Sequence, residues 1–230
     1  MTATPTATPT ETPTATATDT PTATNTPTAT ATSAAGTRLK DITFEDGSLT
    51  HPVSGADSVT GGVVLNSASA LQGVYAANIP TVSGAYLTEN FSGADDVYVA
   101  FYLRVNALPS GDVRLALVSN AGTSVGSLVL RSNGALRLRN GTTTIGADSA
   151  PLTVGGVYRV GLHQKRGTGA NAVLEAYLAA GDAAFGVPFA STATGTWTSQ
   201  ADRFRFGATT GTLNATFDDI RLDASAMPGP

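Results

Sequence analysis

Two short acidic runs could do chemistry. Phe44-Glu45-Asp46-Gly47 and Phe217-Asp218-Asp219-Ile220 each place carboxylates side by side. Paired carboxylates at a turn or a bulge supply the hard oxygen ligands that calcium takes. Acid–base or nucleophilic catalysis is a poorer match. Beyond residue 36, glutamate occurs only as Glu45, Glu89 and Glu175, and Glu175 faces no obvious carboxylate partner. His51 and His163 stand apart, and neither has a neighbouring Ser or Asp pattern of nucleophilic type. Cysteine is absent, so disulfides, thiolate metal sites and thiol nucleophiles are excluded. The reading is a domain without catalysis.

A sugar site needs an aromatic platform beside polar groups. Tyr98, Tyr102 and Arg104 share one parity of a single apolar-alternating run. Trp197 is the only tryptophan and sits in Gly195-Thr196-Trp197-Thr198-Ser199, a loop-like segment where exposure is expected. These four are the glycan-binding candidates. Arg114, Arg131, Arg137, Arg139, Arg159, Arg203 and Arg205 also fall at outward parities. They could grip acidic sugars in bidentate fashion, but solubilising a sheet and pairing with Asp is the favoured reading.

The elements that must position these groups are strands. In Asp96–Asn106, Val97, Val99, Phe101, Leu103 and Val105 fall on one side, and Tyr98, Tyr102 and Arg104 on the other. About a dozen such runs recur, among them Leu39–Phe44, Val59–Leu65, Gly73–Ile79, Val157–Lys165, Arg203–Gly207 and Leu213–Leu222. Asn133-Gly134 and Asn140-Gly141 read as hairpin turns. No amphipathic helix is evident. Phe217 differs in parity from Ile220 and Leu222, so a bulge is expected at Asp218-Asp219. The fold class is all-β, a jelly-roll sandwich of two antiparallel sheets.

A Phe-Glu-Asp-Gly opening strand and a Phe-Asp-Asp-Ile closing strand, bracketing this pattern, resemble carbohydrate-binding modules of the concanavalin A-like, laminin G-like superfamily. The resemblance covers nearly the whole of residues 37–223. It implies that the first and last strands lie side by side and hold one structural calcium, through Glu45, the Gly47 carbonyl, and Asp218 or Asp219. Enzymes of that superfamily resembling laminarinases carry Glu-x-Asp-x-x-Glu on one strand, which this chain lacks.

The first 36 residues are of another kind. Every even position from Thr2 to Thr32 is threonine, and the odd positions hold mainly Ala and Pro. With no Val, Ile, Leu or aromatic residue, this tract cannot form a core. Dense Thr with Pro is the composition of O-glycosylated stalks, with Thr6, Thr10, Thr14, Thr22 and Thr28 as candidate acceptors. Residues 224–230 read as a C-terminal linker. No apolar stretch follows Met1, so a module of a longer exported protein is expected.

The net charge of −4 argues against nucleic acid, and no run is apolar enough to enter a membrane. The resulting expectation is an extracellular or cell-surface module that binds a polysaccharide or glycoconjugate, or mediates adhesion. Two alternatives stand beside it. One is a filament or sheath subunit that self-associates through the threonine tract, whose alternation suits an added edge strand. The other is an accessory domain of a polysaccharide-degrading enzyme.

Overall fold

The computed structural model describes residues 1–3 and 37–230. Residues 4–36, with the candidate O-glycosylation sites, lie outside the described residues.

Seventeen strands account for most of the rest. In chain order they are β1 (Arg38–Ile42), β2 (Ser58–Thr60), β3 (Val64–Asn66), β4 (Ala76–Ile79), β5 (Tyr86–Ala94), β6 (Asp96–Ala107), β7 (Val113–Asn120), β8 (Thr123–Leu130) and β9 (Leu136–Asn140). They continue as β10 (Thr143–Ile145), β11 (Val157–Lys165), β12 (Gly167–Thr168), β13 (Val173–Ala180), β14 (Ala190–Thr192), β15 (Thr196–Trp197), β16 (Ala201–Gly207) and β17 (Asn214–Asp223). The one helical element described is a single 3-10 turn at Gly169–Asn171.

The strands form two large antiparallel sheets, as the alternation predicts. One has eight strands, in the order β14-β13-β11-β6-β17-β4-β3, with β1 also beside β17. The other has seven, in the order β10-β9-β8-β7-β16-β5-β2. Val97, Val99, Phe101, Leu103 and Val105 of β6 are all buried between them. Phe101 and Phe217 from the first sheet meet Phe204 and Phe206 from the second, with ring centroids 6.3 Å apart for Phe101–Phe204 and 5.8 Å for Phe217–Phe206. Such contacts add to the burial of the rings themselves.

The first and last strands do pair, with Ile42 opposite Ile220 and Lys40 opposite Leu222. The predicted bulge is present: pairing of β17 with β6 slips between Asp218 and Arg221, and Asp219 has φ +43°. One expectation differs. Val59–Leu65 is two strands in different sheets, because the chain turns the corner at Gly61 (φ +73°). A Cβ on Gly61 would lie 2.8 Å from the Cα of Ala85, so only glycine fits.

One ion pair crosses between the sheets. Lys40 Nζ of β1 lies 3.5 Å from Glu89 Oε1 of β5, and Glu89 is 4 % exposed. Burial outweighs the lysine's attraction and pushes the Glu89 carboxyl up from 4.5 to about 7. The native state therefore keeps a proton that the unfolded chain releases near pH 4.5. The resulting stabilisation is full below that pH and is lost as the pH rises to about 7. Thermal unfolding should show a higher Tm at pH 5 than at pH 7.5, and Glu89→Gln should reduce the difference. A Tm difference that Glu89→Gln leaves unchanged would contradict this account.

Candidate functional site

The parity that buries the odd residues of β6 turns Tyr98, Tyr102 and Arg104 to the outer face of the eight-stranded sheet. Register extends this face into rows. Glu175, His163, Tyr98 and Asp223 lie across β13, β11, β6 and β17, and Arg159, Tyr102 and Asp218 follow two rows on. The three candidates of β6 thus share one face. They do not form an open platform, because Tyr102 is only 3 % exposed and Tyr98 and Arg104 are half-buried.

At one end of the face His163 is held between two carboxylates. Its Nδ1 lies 2.8 Å from Glu175 Oε2 and its Nε2 2.7 Å from Asp96 Oδ1. Both bonds can be donated together only by an imidazolium. Tyr98 stacks on the imidazole at 4.0 Å, 9° from parallel, and Tyr177 donates its hydroxyl to Glu175 at 2.7 Å. Burial, followed by Asp96 and Glu175, raises the Tyr98 phenol above its ordinary range. Glu175 has no carboxylate opposite it, as the sequence suggests, but it does have His163 and Tyr177 as partners. Its partners sit on a neighbouring strand and two residues along its own, so only the register brings them together.

The middle of the face is covered. Arg159, 2 % exposed, lies 4.3 Å from the Phe185 ring centroid and donates to the carbonyls of Ala183 (3.1 Å) and Pro228 (2.7 Å). Arg221 donates to the Gly229 carbonyl at 2.9 Å. Residues 224–230, read as linker, are thus laid along the sheet. Tyr102 donates to Asp182 at 2.7 Å, and burial with that bond pushes its phenol up to about 12. Arg104 is engaged by Asn106, Thr216 and the Ser69 carbonyl.

The acidic motifs meet where β17 exchanges β4 for β1 as its neighbour. Glu45, Asp218 and Asp219 line one cavity of about 210 Å³ with Thr43, Gln72 and Arg221. Gly47 is not among its lining residues. The oxygens are of the type calcium takes, but donors already meet them. Asp218 accepts from Leu71 and Gln72 N–H at 2.8 Å, Glu45 accepts from Val74 and Tyr75, and Asp219 holds Arg221 in a fork at 2.8 and 3.0 Å. Among the described residues no acidic, His or Cys group is arranged to hold a metal ion. Burial pushes the Asp218 carboxyl up to about 6, against the pull of its N–H donors.

Trp197 departs from expectation: it is 4 % exposed and belongs to the core, with its ring against Gly195. It also lines a cavity of about 220 Å³ with Asn120, Thr123, Ser124, Asn140 and Thr198. No charged residue lines this cavity. The Trp197 Nε1 and Ser124 Oγ are buried with no hydrogen-bond partner among the described residues.

No family model matches the chain, and no curated protein is significantly similar to it. Solved structures do share its fold. The chain is similar to an endo-β-1,4-glucuronan lyase from the fungus Trichoderma reesei, at 13 % identity and a TM-score of 0.56. That match covers 82 % of this chain and 96 % of the lyase. It is similar to Cip1, a cellulose-induced protein, at 20 % identity and a TM-score of 0.59, covering 83 % and 99 %. A third is domain 4 of AbnA, an extracellular arabinanase of Geobacillus stearothermophilus, solved with arabinotriose. It matches at 12 % identity and a TM-score of 0.57, covering 84 % and 95 %.

Gly73 supports the acidic cavity from below. It has φ +58°, and a Cβ there would stand 2.5 Å from Glu45 Oε1. Gly73→Ala should displace Glu45 and lower stability by about 2 kcal/mol. Denaturant unfolding measures this, and an unchanged midpoint would mean the Glu45 contacts are dispensable.

Proposed function

We propose that this chain is a non-catalytic, extracellular carbohydrate-binding module carried on an O-glycosylated threonine stalk. The observation that carries the reading is the Trp197 cavity. Its uncharged amide and hydroxyl lining, beside a buried indole N–H and a hydroxyl with no partner, suits a neutral polyhydroxylated ligand. An unmet buried donor costs free energy that a ligand hydroxyl can return. The shared fold supports the reading, since the AbnA domain with this architecture was solved with arabinotriose.

The absence of catalysis is part of the proposal. The His163 clamp supports it, because Asp96 and Glu175 already engage both ring nitrogens and leave neither open to a substrate. If calcium binds, Glu45, Asp218 and Asp219 of the acidic cavity would hold it as hard oxygen ligands, in competition with the Arg221 guanidinium.

Two measurements test these points. Neutral oligosaccharides should bind the full chain in a glycan screen. In titration calorimetry, Trp197→Phe should weaken that binding about tenfold, the worth of one hydrogen bond. Thr198→Val, on the exposed rim, should also weaken it without lowering Tm. Silence across all neutral glycans, or both variants binding like the parent, would overturn the reading. Release of product from a bound glycan would overturn the non-catalytic part. EDTA should lower Tm by a few degrees through loss of a bound ion, and an unchanged Tm removes calcium.

A further inference from the structure

The outer face of the seven-stranded sheet is rich in arginine. On β16, Arg203 and Arg205 alternate with buried Phe204 and Phe206. On β9, Arg137 and Arg139 alternate with buried Leu136 and Leu138. On β7, Arg114 stands between buried Val113 and Leu115. Register sets Arg205, Leu117, Ser127 and Arg139 in one row, with Arg114, Val129 and Arg137 in another. Leu117, Ser127 and Val129 are each at most 3 % exposed, so the arginines lie over a closed floor.

These arginines are not alike in their partners. Arg131 and Arg137 both pair with Asp148 at 2.7 Å, and Arg203 donates to the Asn90 side chain at 2.8 Å. Arg114, Arg139 and Arg205 form no ion pair among the described residues. Arg114 Nε donates to Thr209 at 2.9 Å, and Arg205 lies over the Tyr86 ring at 5.3 Å. The Nε atoms of Arg139 and Arg205 are buried without any partner. Arg114 and Arg139 line a cavity of about 190 Å³ together with Ser127, Val129, Thr210 and Asp112. Asp112 is exposed, and it pairs with neither arginine within 4.0 Å.

A surface whose arginines serve only to solubilise it would pair them with Asp or spread them into water. Here Arg114 and Arg139 line one cavity with Arg205 beside it, over a closed floor, and the one acid on that lining, Asp112, pairs with neither. Burial and the charge of Arg205 hold the Arg114 guanidinium below its ordinary range, so the group is under a repulsion that an anion would relieve. Guanidinium forks match the planar or tetrahedral oxygens of carboxylate and sulfate. The cavity has room for such a group and part of the ring that carries it.

We propose that the Arg114–Arg139 cavity, flanked by Arg205, is a second ligand site, which takes the anionic group of an acidic polysaccharide. The shared chemistry is an oxyanion on a sugar, either a sulfate ester or a uronate carboxylate. The site uses no residue of the Trp197 cavity, so either reading can fail alone.

Titration calorimetry on the full chain tests this with three ligands at fixed ionic strength. They are inorganic sulfate, a sulfated galactan without carboxylates, and an oligouronate without sulfate. At least one polymer should bind, more weakly as salt rises, and the arm that binds identifies the anion. Arg114→Gln and Arg139→Gln should each weaken that binding about tenfold, as loss of a charge-assisted fork requires. Arg166→Gln removes an exposed arginine already paired with Asp95 and should change nothing. Trp197→Phe should also leave the anionic ligand bound. Tm values confirm that each variant is folded. Silence of both polymers would overturn the proposal, even if inorganic sulfate binds. An Arg166→Gln loss equal to that of Arg139→Gln would reduce it to net charge and overturn it as well.

Discussion

The packing of Phe217 against Phe101 and Phe206 governs the rest of the structure. It fixes which parity of β6 and β16 faces inward, and a strand with one committed face has no freedom left on the other. Tyr98, Tyr102 and Arg104 are outward because Phe101 is inward, and Arg203 and Arg205 because Phe204 and Phe206 are inward. On β17 the constraint is harder to meet. Phe217, Ile220 and Leu222 must all reach the core, and a regular strand cannot bring all three there. Asp218-Asp219 absorbs the mismatch as a bulge, with Asp219 at φ +43°. That conformation costs about 1 kcal/mol for a residue with a Cβ, and the fork from Arg221 helps hold it. The bulge also marks the point where β4 ends and β1 begins along the same edge of β17. The acidic cavity is therefore a product of the core's demand for three apolar contacts.

The two outer faces answer the same burial problem differently. On the eight-stranded sheet nearly every polar group has found a partner within the domain. His163 is clamped, Arg159 is held by two backbone carbonyls, Tyr102 by Asp182, and Arg104 by neighbouring oxygens. A face so paired is rigid, and a ligand there would have to displace bonds already made. On the seven-stranded sheet the arginines outnumber the acids within reach. Asp148 serves two of them, and three remain unmatched. The overall charge of −4 hides this local excess, because the acids concentrate on the other sheet and in the loops.

Much of the fold was legible in the sequence. Alternation in Asp96–Asn106 gave the central strand and its buried face, the parity conflict in Leu213–Leu222 gave the bulge, and the Asn-Gly pairs marked two hairpins. Val59–Leu65 was misread as one strand because apolar content continues through Gly61-Gly62, while the chain leaves one sheet for the other there. Pairings across strands were not legible. The Asp96–His163–Glu175 clamp joins residues 67 and 12 positions apart, and only the register of β6, β11 and β13 brings them together. Trp197 was misjudged in exposure for a related reason. Its Thr/Ser/Gly surroundings read as a loop, yet β15 pairs with β12 and draws the indole into the core.

Burial of that indole does not remove Trp197 from consideration as a recognition group; it changes what the residue can offer. An exposed tryptophan presents a ring face to a sugar. A buried one presents an edge, a fixed position and an N–H that the core has failed to satisfy. The core gains from the ring's apolar area and tolerates the unmet donor, one of nine buried side-chain polar atoms without a partner among the described residues. The same reasoning applies to Arg139, whose stem covers an apolar floor while its Nε is left without a partner. In both places the apolar part of a side chain is used by the fold and its polar part is not. The two lie close together along the chain, since Asn140 lines the uncharged cavity and Arg139 and Gly141 the cationic one. The edge of the sandwich around the β9–β10 turn therefore contributes to both candidate sites.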